Sequence, residues 1–228
     1  MGNVITIDGP SGAGKSTVSR ILAEEIGYCC LDTGAMYRAV ALVAKRKGVA
    51  FDDGRALEEI CSSLQLRFEA EEEGAPRLFL GEEDITALIR NHEFDMLSSK
   101  VSSVKEVRES MKILQRKMSL HENLVAEGRD MGTVVFPLAE SKFFLTASLD
   151  ARALRRYEER IVKGELVEIG GVRAELEKRD HQDETRSLAP LKPAEDAVII
   201  DSTGLTIQQV VKRMMEYIGM ESRGGTIF

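Results

Sequence analysis

A glycine-rich loop near the start of the chain is the most specific chemical pattern in the sequence. Residues 9–16 read GPSGAGKS, which fits the motif G-x-x-x-x-G-K-[ST] without a gap. In such a loop the backbone N–H groups turn inward around phosphate oxygens, and the following helix adds the positive end of its dipole. Lys15 supplies a positive charge toward the β- and γ-phosphates, and Ser16 can ligate Mg²⁺. The motif therefore predicts that the chain binds a nucleoside triphosphate together with Mg²⁺.

The predicted triphosphate site takes in the loop and the start of the helix that follows it. Its members are Gly9, Pro10, Ser11, Gly12, Ala13, Gly14, Lys15, Ser16 and Thr17. The rest of the sequence contains neither the Asn-Lys-x-Asp box of a switch GTPase nor the apolar strand with an Asp-Glu end of a motor ATPase. It contains instead three segments in which arginines stand beside acceptor residues, at 32–38, 127–130 and 179–186. Arginine holds phosphate through two parallel hydrogen bonds, so these segments indicate a second anionic substrate.

Short apolar runs predict the strands that position these residues, and they lie at 3–7, 28–31, 124–126, 143–145 and 198–200. Segments with apolar residues at helical spacing separate the runs. Gly27 is expected to end the first helix. Thr206 and Gln209 form a capping box that opens the last helix, and Gly219 is expected to close it. Strands alternating with helices favour an α/β fold with a doubly wound, five-stranded parallel sheet.

One stretch of the sequence breaks this alternation. Residues 65–71 and 77–80 alternate apolar and polar side chains around a turn at 74–76, which predicts a hairpin. Residues 93–118 return to a helical pattern, with packing positions at Met96, Leu97, Val101, Val104, Val107 and Met111. We therefore predict an insertion over 40–115, carried on a core formed by 1–39 and 116–228.

The composition excludes several classes of protein. The 31 Lys and Arg residues against 38 Asp and Glu give a formal net charge of −7, which argues against a nucleic-acid polymer as partner. Cys29, Cys30 and Cys61 fit neither a disulfide framework nor a zinc pattern. Asp8 stands where a signal peptide would be apolar, and no apolar run approaches the roughly 18 residues of a membrane span. We expect a cytoplasmic protein without a membrane partner, and nothing in the sequence demands more than a monomer.

With these residues in hand, the chain resembles the bacterial cytidylate kinases over nearly its whole length. The resemblance rests on ITIDGPSGAGKST, LDTGAMYR, AEGRDMGTVVFP, KRDHQDETRSLAPL and IDST. It implies a P-loop kinase core of the adenylate kinase type, a monophosphate-binding insertion with a small antiparallel sheet, and a helical, arginine-rich lid at about 150–186. It also implies transfer of the γ-phosphate of ATP to CMP or dCMP, with Mg²⁺ as cofactor.

The family pattern implies roles for individual residues. Asp130 would accept a hydrogen bond from the exocyclic amine of cytosine, while Thr33 and Arg108 would donate to the acceptor atoms of the ring. The residues expected at the CMP phosphate are Arg38, Arg129 and Arg186, and those expected at the sugar hydroxyls are Ser99, Arg179 and Asp183. On the lid, Arg152, Arg156, Arg160 and Lys163 share one helical face. The catalytic set is then Lys15, Arg129, Arg152, Arg156 and Arg186.

Simpler interpretations of the same residues stay open at this point. Arg38 could be a surface cation, and Arg129 with Asp130 could be a local ion pair that closes a turn. Arg179, Asp183 and Arg186 stand at helical spacing and could form an i,i+4 network that only stabilises a helix. The lid segment could be a solvated amphipathic helix. The acceptor could be UMP, AMP or an alcohol, and the chain could be a nucleotide-binding regulatory module that transfers no phosphate.

Overall fold

The computed structural model describes residues 2–69, 71 and 76–224. The strands of this part are β1 (Val4–Asp8), β2 (Cys29–Asp32), β3 (Leu66–Glu69), β4 (Arg77–Leu80), β5 (Glu83–Asp84), β6 (Leu124–Gly128), β7 (Ser141–Thr146) and β8 (Val198–Asp201). Its α-helices are α1 (Lys15–Ile26), α2 (Thr33–Lys47), α3 (Gly54–Ser63), α4 (His92–Val101), α5 (Lys105–Met118), α6 (Leu149–Val162), α7 (Ile169–Thr185) and α8 (Ile207–Gly224). A short π-helix, Met131–Val135, follows β6.

A parallel sheet forms the centre of the fold. Among the described residues its strand order is β2-β6-β1-β7-β8, so the predicted doubly wound, five-stranded sheet is confirmed. All five residues of β1 are buried because strands flank it on both sides and helices cover both faces. In the register of the sheet Asp8 lies beside Gly128, and Asp32 lies beside Glu127. The carboxyl ends of β1, β2 and β6 therefore meet at one edge, where open parallel sheets bind ligands.

The two faces of this sheet bury separate hydrophobic clusters. Successive strand residues point to opposite faces, so Leu124 and Ala126 join one cluster while Val125 joins the other. Residues of α2, α3, α4 and α5 complete the first cluster, and residues of α1 and α8 complete the second. Each fully buried aliphatic side chain contributes roughly 1.5–3 kcal/mol to stability. The sheet edge that carries the polar residues is thus held from both sides.

The helix boundaries confirm two of the predicted signals and correct a third. Gly27 ends α1 in the left-handed region at a φ of 69°, as expected. At the start of α8, the Thr206 N–H donates to Gln209 Oε1 at 2.9 Å, and the Gln209 N–H donates to Thr206 Oγ1 at 3.2 Å. Gly219 does not close this helix, which continues to Gly224. A glycine inside a helix costs about 1 kcal/mol relative to alanine but ends it only when it adopts a left-handed conformation.

The region between β2 and β6 contains the predicted hairpin and one strand that the sequence did not reveal. β3 and β4 pair antiparallel, with Leu66 opposite Leu80, and β5 adds to β4. Residues 74 and 75 of the predicted turn lie outside the described residues. The predicted boundary at residue 40 lies inside α2. The division of the chain into a core and an insertion stays a prediction.

The continuous helical pattern at 93–118 proves to be two helices. Ser102 is the C-cap of α4 and Val104 is the N-cap of α5, so the helical pattern is interrupted between these two residues. Val101, Val107 and Met111 are buried as expected, but Met96 is 38% exposed and the prediction that it packs inside was wrong. Both helices contribute residues to one cleft, among them Asp95 from α4 and Arg108 from α5.

α6 and α7 pack on each other through a small cluster of their own. Ala153, Val172 and Leu176 are its buried members, and it is separate from the two main clusters. This pair of helices forms the segment predicted as a lid. No helix among the described residues is long and apolar enough to cross a membrane.

Candidate active site

A cleft of about 940 Å³ lies at the carboxyl ends of β1, β2 and β6. Residues of the glycine-rich loop line it together with residues of α2, α4, α6 and α7. The structure brings all of the residues predicted for the monophosphate to its wall, and these are Thr33, Arg38, Ser99, Arg108, Arg129, Asp130, Arg179, Asp183 and Arg186. Of the predicted catalytic residues, Lys15 and Arg156 also line the cleft. Residues far apart in the sequence therefore face a common space.

The glycine-rich loop wraps tightly at the end of β1. A Cβ added at Gly9, where φ is 147°, would lie 2.0 Å from the carbonyl oxygen of Leu145, so only glycine fits there. Gly14, at a φ of 94°, precedes the first residue of α1. The loop is therefore shaped to turn its backbone N–H groups toward an anion at the helix N-terminus.

Lys15 lies buried at the base of this loop. Its Nζ donates to the carbonyl oxygen of Pro10 at 2.7 Å. Burial, together with the charge of Arg129, lowers the pKa of Lys15 to about 7, although the carboxylate of Glu127 acts in the opposite direction. An anionic phosphate beside the ammonium would restore its usual pKa, so the site favours a ligand of high negative charge.

Glu127 stands next to Ser16 and has a free oxygen. Burial, and then the charge of Asp32, raises the pKa of Glu127 to about 7, whereas a hydrogen bond with Ser16 lowers it. Its Oε1 is buried and has no hydrogen-bond partner. A buried carboxylate oxygen beside a serine hydroxyl suits Mg²⁺, which prefers oxygen ligands. Glu127 was not among the predicted site residues, although its position near the end of a buried strand is the signal that could have identified it.

Asp8 holds the turn that follows β6. Its Oδ1 accepts from the N–H of Met131 and its Oδ2 from the N–H of Gly132, both at 2.8 Å. These two bonds fix the backbone directly after Arg129 and Asp130. Burial raises the pKa of Asp8 to about 6, although the two N–H groups act to lower it. In the sequence, Asp8 served only as an argument against a signal peptide, and no role in the site was predicted for it.

Buried ion pairs organise the part of the cleft predicted to hold the base. Arg108 and Asp130 form one of them, and both side chains are at most 9% exposed. Thr33 Oγ1 donates to the carbonyl oxygen of Glu127 at 2.6 Å. Arg129 pairs with Asp183 rather than with Asp130, so the interpretation of 129 and 130 as a local ion pair was wrong. Each of the two residues contacts a partner from another element.

Three arginines of the cleft have a buried donor that makes no hydrogen bond. The Nε atoms of Arg38 and Arg179 and the Nη2 atom of Arg186 are buried without a hydrogen-bond partner. Burial lowers the pKa of Arg179 to about 10, and the charge of Arg129 contributes to the same shift. A buried donor without a partner costs about 1–3 kcal/mol. An anionic ligand that accepts from these groups would recover that cost, which a simple helix-stabilising network would not require.

The lid arginines divide into two groups. Arg152 is buried below the glycine-rich loop, where it donates to the carbonyl oxygens of Ser11 at 3.1 Å and Ala147 at 3.0 Å. Asp180 completes its environment at 2.6 Å. Arg156, one turn later, faces the cleft. The structure therefore separates two arginines that the sequence had placed in the same role.

The other two residues of the predicted lid face, Arg160 and Lys163, pair with groups of the protein itself. Arg160 pairs with Glu165 at 2.7 Å and with Glu175 at 2.9 Å, so it links α6 to α7. Lys163 follows the last residue of α6 and donates to the carbonyl oxygen of Arg90 at 3.4 Å. These contacts are not those of an isolated solvated helix.

The chain is similar over most of its length to proteins of one known family. Residues 5–220 match the family model for cytidylate kinase. The cytidylate kinase of Marinomonas sp. is 48% identical over 92% of this chain and 93% of its own. That of Geobacter sp. (strain M21) is 49% identical over 93% of this chain and 91% of its own. The chain belongs to the cytidylate kinase family.

A solved structure also shares the α/β fold described above. A crystal structure of an uncharacterised protein from Eubacterium ventriosum superimposes with a TM-score of 0.53, at 12% identity, over 96% of this chain and 99% of that one. At this identity the likeness shows the fold alone.

One contact of this cytidylate kinase family member was not predicted from the sequence. Arg155 donates to the carbonyl oxygen of Ser202 at 2.6 Å and to its Oγ at 3.1 Å. The segment that follows β8 is thereby tied to α6. Arg155 and Arg156 stand side by side in the sequence and both line the cleft, but which of the two pairs with Ser202 could not be read from the sequence.

Proposed function

We propose that this chain transfers the γ-phosphate of ATP to CMP or dCMP, with Mg²⁺, giving ADP and CDP or dCDP. Membership of the cytidylate kinase family makes it an ATP-dependent nucleoside monophosphate kinase. The observation that carries the proposal is the buried Arg108–Asp130 pair, which stands in the same cleft as Lys15 and the phosphate-binding arginines. A carboxylate held in this way accepts from an exocyclic amine, which cytosine offers and uracil lacks.

Catalysis consists of positioning and charge neutralisation. The attacking oxygen of the CMP phosphate is already anionic, so no residue has to remove a proton from it. Lys15 contacts the β- and γ-phosphates, and Arg38, Arg129 and Arg186 hold the acceptor phosphate in line with them. Arg156 reaches the transferred group from the lid, while Arg152 holds the glycine-rich loop. Well-oriented reactants of this kind gain about 7–11 kcal/mol over free ones.

Mg²⁺ would be held by Ser16, with Glu127 as the carboxylate beside it. The ion supplies charge neutralisation to the β- and γ-phosphates. Support comes from the unpaired, buried Oε1 of Glu127 and its hydrogen bond with Ser16.

Base choice rests on Asp130, Thr33 and Arg108. Uracil would present its O4 acceptor to the Asp130 carboxylate, and two acceptors repel each other. The sugar hydroxyls are assigned to Ser99, Arg179 and Asp183, which accept either ribose or deoxyribose in this proposal.

We propose that the protein acts on free nucleotides in the cytoplasm and that it does so as a monomer. The net charge of −7 supports small nucleotides rather than a nucleic-acid polymer as partners. The arginines then act locally, since the surface as a whole does not attract a polyanion.

The test is ADP formation from Mg-ATP in a panel of CMP, dCMP, UMP, AMP and GMP. We expect strong stimulation by CMP and dCMP, weaker stimulation by UMP, and little by the purine nucleotides. A Lys15→Ala variant, at matched concentration, should lose on the order of 10³-fold in turnover. Stimulation mainly by AMP or GMP would overturn the role of Asp130, and ATP hydrolysis that no monophosphate stimulates would overturn the kinase assignment.

A further inference from the structure

Asp95 joins two arginines that come from different parts of the chain. It lies in the first turn of α4, within the wall of the cleft, and is 15% exposed. Its Oδ1 lies 3.6 Å from Nη1 of Arg38 on α2. Its Oδ2 accepts a hydrogen bond from Nη2 of Arg156 on α6. One carboxylate on α4 thus connects α2 with α6.

The contacts of Arg38 leave one part of its side chain free. Its Nη2 lies 3.2 Å from Asp32 Oδ2, and its Nη1 faces Asp95. The buried Nε has no partner. Two carboxylates therefore fix the plane of the guanidinium from both terminal nitrogens, while a donor stays available for a phosphate.

Arg156 has one partner on its own helix and one on α4. Glu159 Oε2 lies 3.0 Å from Nη1 on the same helix, so this pair does not tie the lid to anything else. Asp95 is the partner across the cleft, at a point where Arg156 is 28% exposed. Without the carboxylate, two guanidinium groups of like charge would face each other across the cleft and separate.

We propose that Asp95 is a positioning residue for phosphoryl transfer, which holds the lid arginine Arg156 beside the acceptor-phosphate arginine Arg38. This inference rests on the proposed function. When the lid closes, Arg156 is then placed beside the bound acceptor phosphate, because the Asp95 carboxylate contacts both Arg156 and Arg38. In this proposal Asp95 does not touch the substrate and acts on turnover through Arg156, while Asp32 keeps Arg38 in place.

A further contact between the lid and α4 is longer and more exposed to solvent. His92 lies 3.7 Å from Glu175, with both side chains more than 40% exposed. Exposed pairs of this type contribute little. The Asp95 bridge is more enclosed and is the contact that includes an arginine of the acceptor site.

Electrostatics predicts a specific kinetic signature for this role. A carboxylate in a cleft that binds anions opposes binding of the CMP phosphate, so its loss should not weaken CMP binding. Its loss should lower turnover, since Arg156 is no longer held in place, and small misplacements cost up to about 10²-fold. A residue with a merely structural role would instead raise KM and lower kcat together.

The first experiment compares Asp95→Asn with wild type and with Glu93→Gln. Glu93 lies on the same helix and pairs with Lys45, outside the wall of the cleft, so it controls for loss of an acidic group from α4. We expect Asp95→Asn to lower kcat at least about tenfold with the KM for CMP unchanged or lower, and Glu93→Gln to match wild type. A kcat for Asp95→Asn within about twofold of wild type would overturn the inference, as would a rise in the KM for CMP that accompanies a lower Tm.

A double-mutant cycle gives a second, independent readout. If Asp95 acts through Arg156, adding Asp95→Asn to Arg156→Met should change kcat by less than about twofold. Additive effects would contradict the proposal. The two hypotheses fail differently: a wild type that CMP does not stimulate refutes the proposed function, whereas a stimulated wild type with an unaffected Asp95→Asn refutes only the positioning role.

Discussion

Nε of Arg129 lies 2.9 Å from Oδ2 of Asp183, although the two residues are 54 positions apart in the chain. Burial alone would raise the pKa of Asp183, but the charges of Arg129, Arg179 and Arg186 hold that pKa below its usual range. The pair connects the turn after β6 to the end of α7. The sequence had suggested separate contacts with phosphate and sugar, and the structure shows that the two side chains also depend on each other.

Asp183→Asn should therefore reduce stability as well as activity. The substitution leaves the Arg129 guanidinium buried without its carboxylate, and breaking one partner of such a pair costs about 3 kcal/mol or more. Urea denaturation at pH 7 measures the change in the free energy of unfolding. Asp150→Asn, which removes an exposed pair with Arg173, is the control and should leave stability nearly unchanged. Equal stability of the two variants would contradict the importance of the buried pair.

Asp130→Asn should change the preference between bases. An amide can donate to uracil O4 and loses part of its ability to accept from cytosine, so the ratio of kcat/KM for CMP over UMP should fall by about tenfold or more. The KM for ATP should stay close to that of wild type, because the change lies on the acceptor side of the cleft. A preserved CMP preference with a general loss of activity would mean that Asp130 serves mainly to anchor Arg108.

Arg152→Met and Arg156→Met should have opposite signatures despite standing one helical turn apart. Arg152 supports the glycine-rich loop through the Ser11 carbonyl oxygen, so its loss should lower Tm and raise the KM for ATP. Arg156 faces the cleft, so its loss should lower kcat on the order of 10³-fold with little change in Tm. Thermal unfolding and steady-state kinetics on both variants distinguish these outcomes. Similar Tm values with a larger kcat loss in Arg152→Met would reverse the assignment.

The buried carboxyl of Asp8 should make stability depend on pH in a defined direction. Its pKa rises from 3.8 to about 6 on folding, so the native state binds the proton more tightly and loses stability as pH rises through 6. The Asp8→Asn variant lacks this titration. The stability of wild type relative to Asp8→Asn should therefore fall by about 1.4 kcal/mol between roughly pH 5 and pH 7.5. A difference that is constant over this range would show that Asp8 does not titrate there.

Much of this architecture follows from patterns that span only a few residues. The glycine-rich loop, the five parallel strands, the end of α1 at Gly27 and the Thr206–Gln209 cap were predictable because each depends on local backbone requirements or on short apolar periodicity. The same local signals were insufficient at Gly219, where a glycine continues the helix, and at β5, which is too short to produce a periodic pattern.

The side chains that can hold two phosphate ligands, and the segments in which they stand, are readable from the order of residues alone. Their partners depend on the folded chain: Arg129 pairs with Asp183, Arg108 with Asp130, and Arg156 with Asp95. The tertiary structure also decided that Arg152 lies beneath the loop while Arg156 faces the cleft. The physical reason is that an ion pair depends on distance in space and on burial, and both are set by how α4, α6 and α7 pack over the sheet edge. Spacing along the chain carries no information about either.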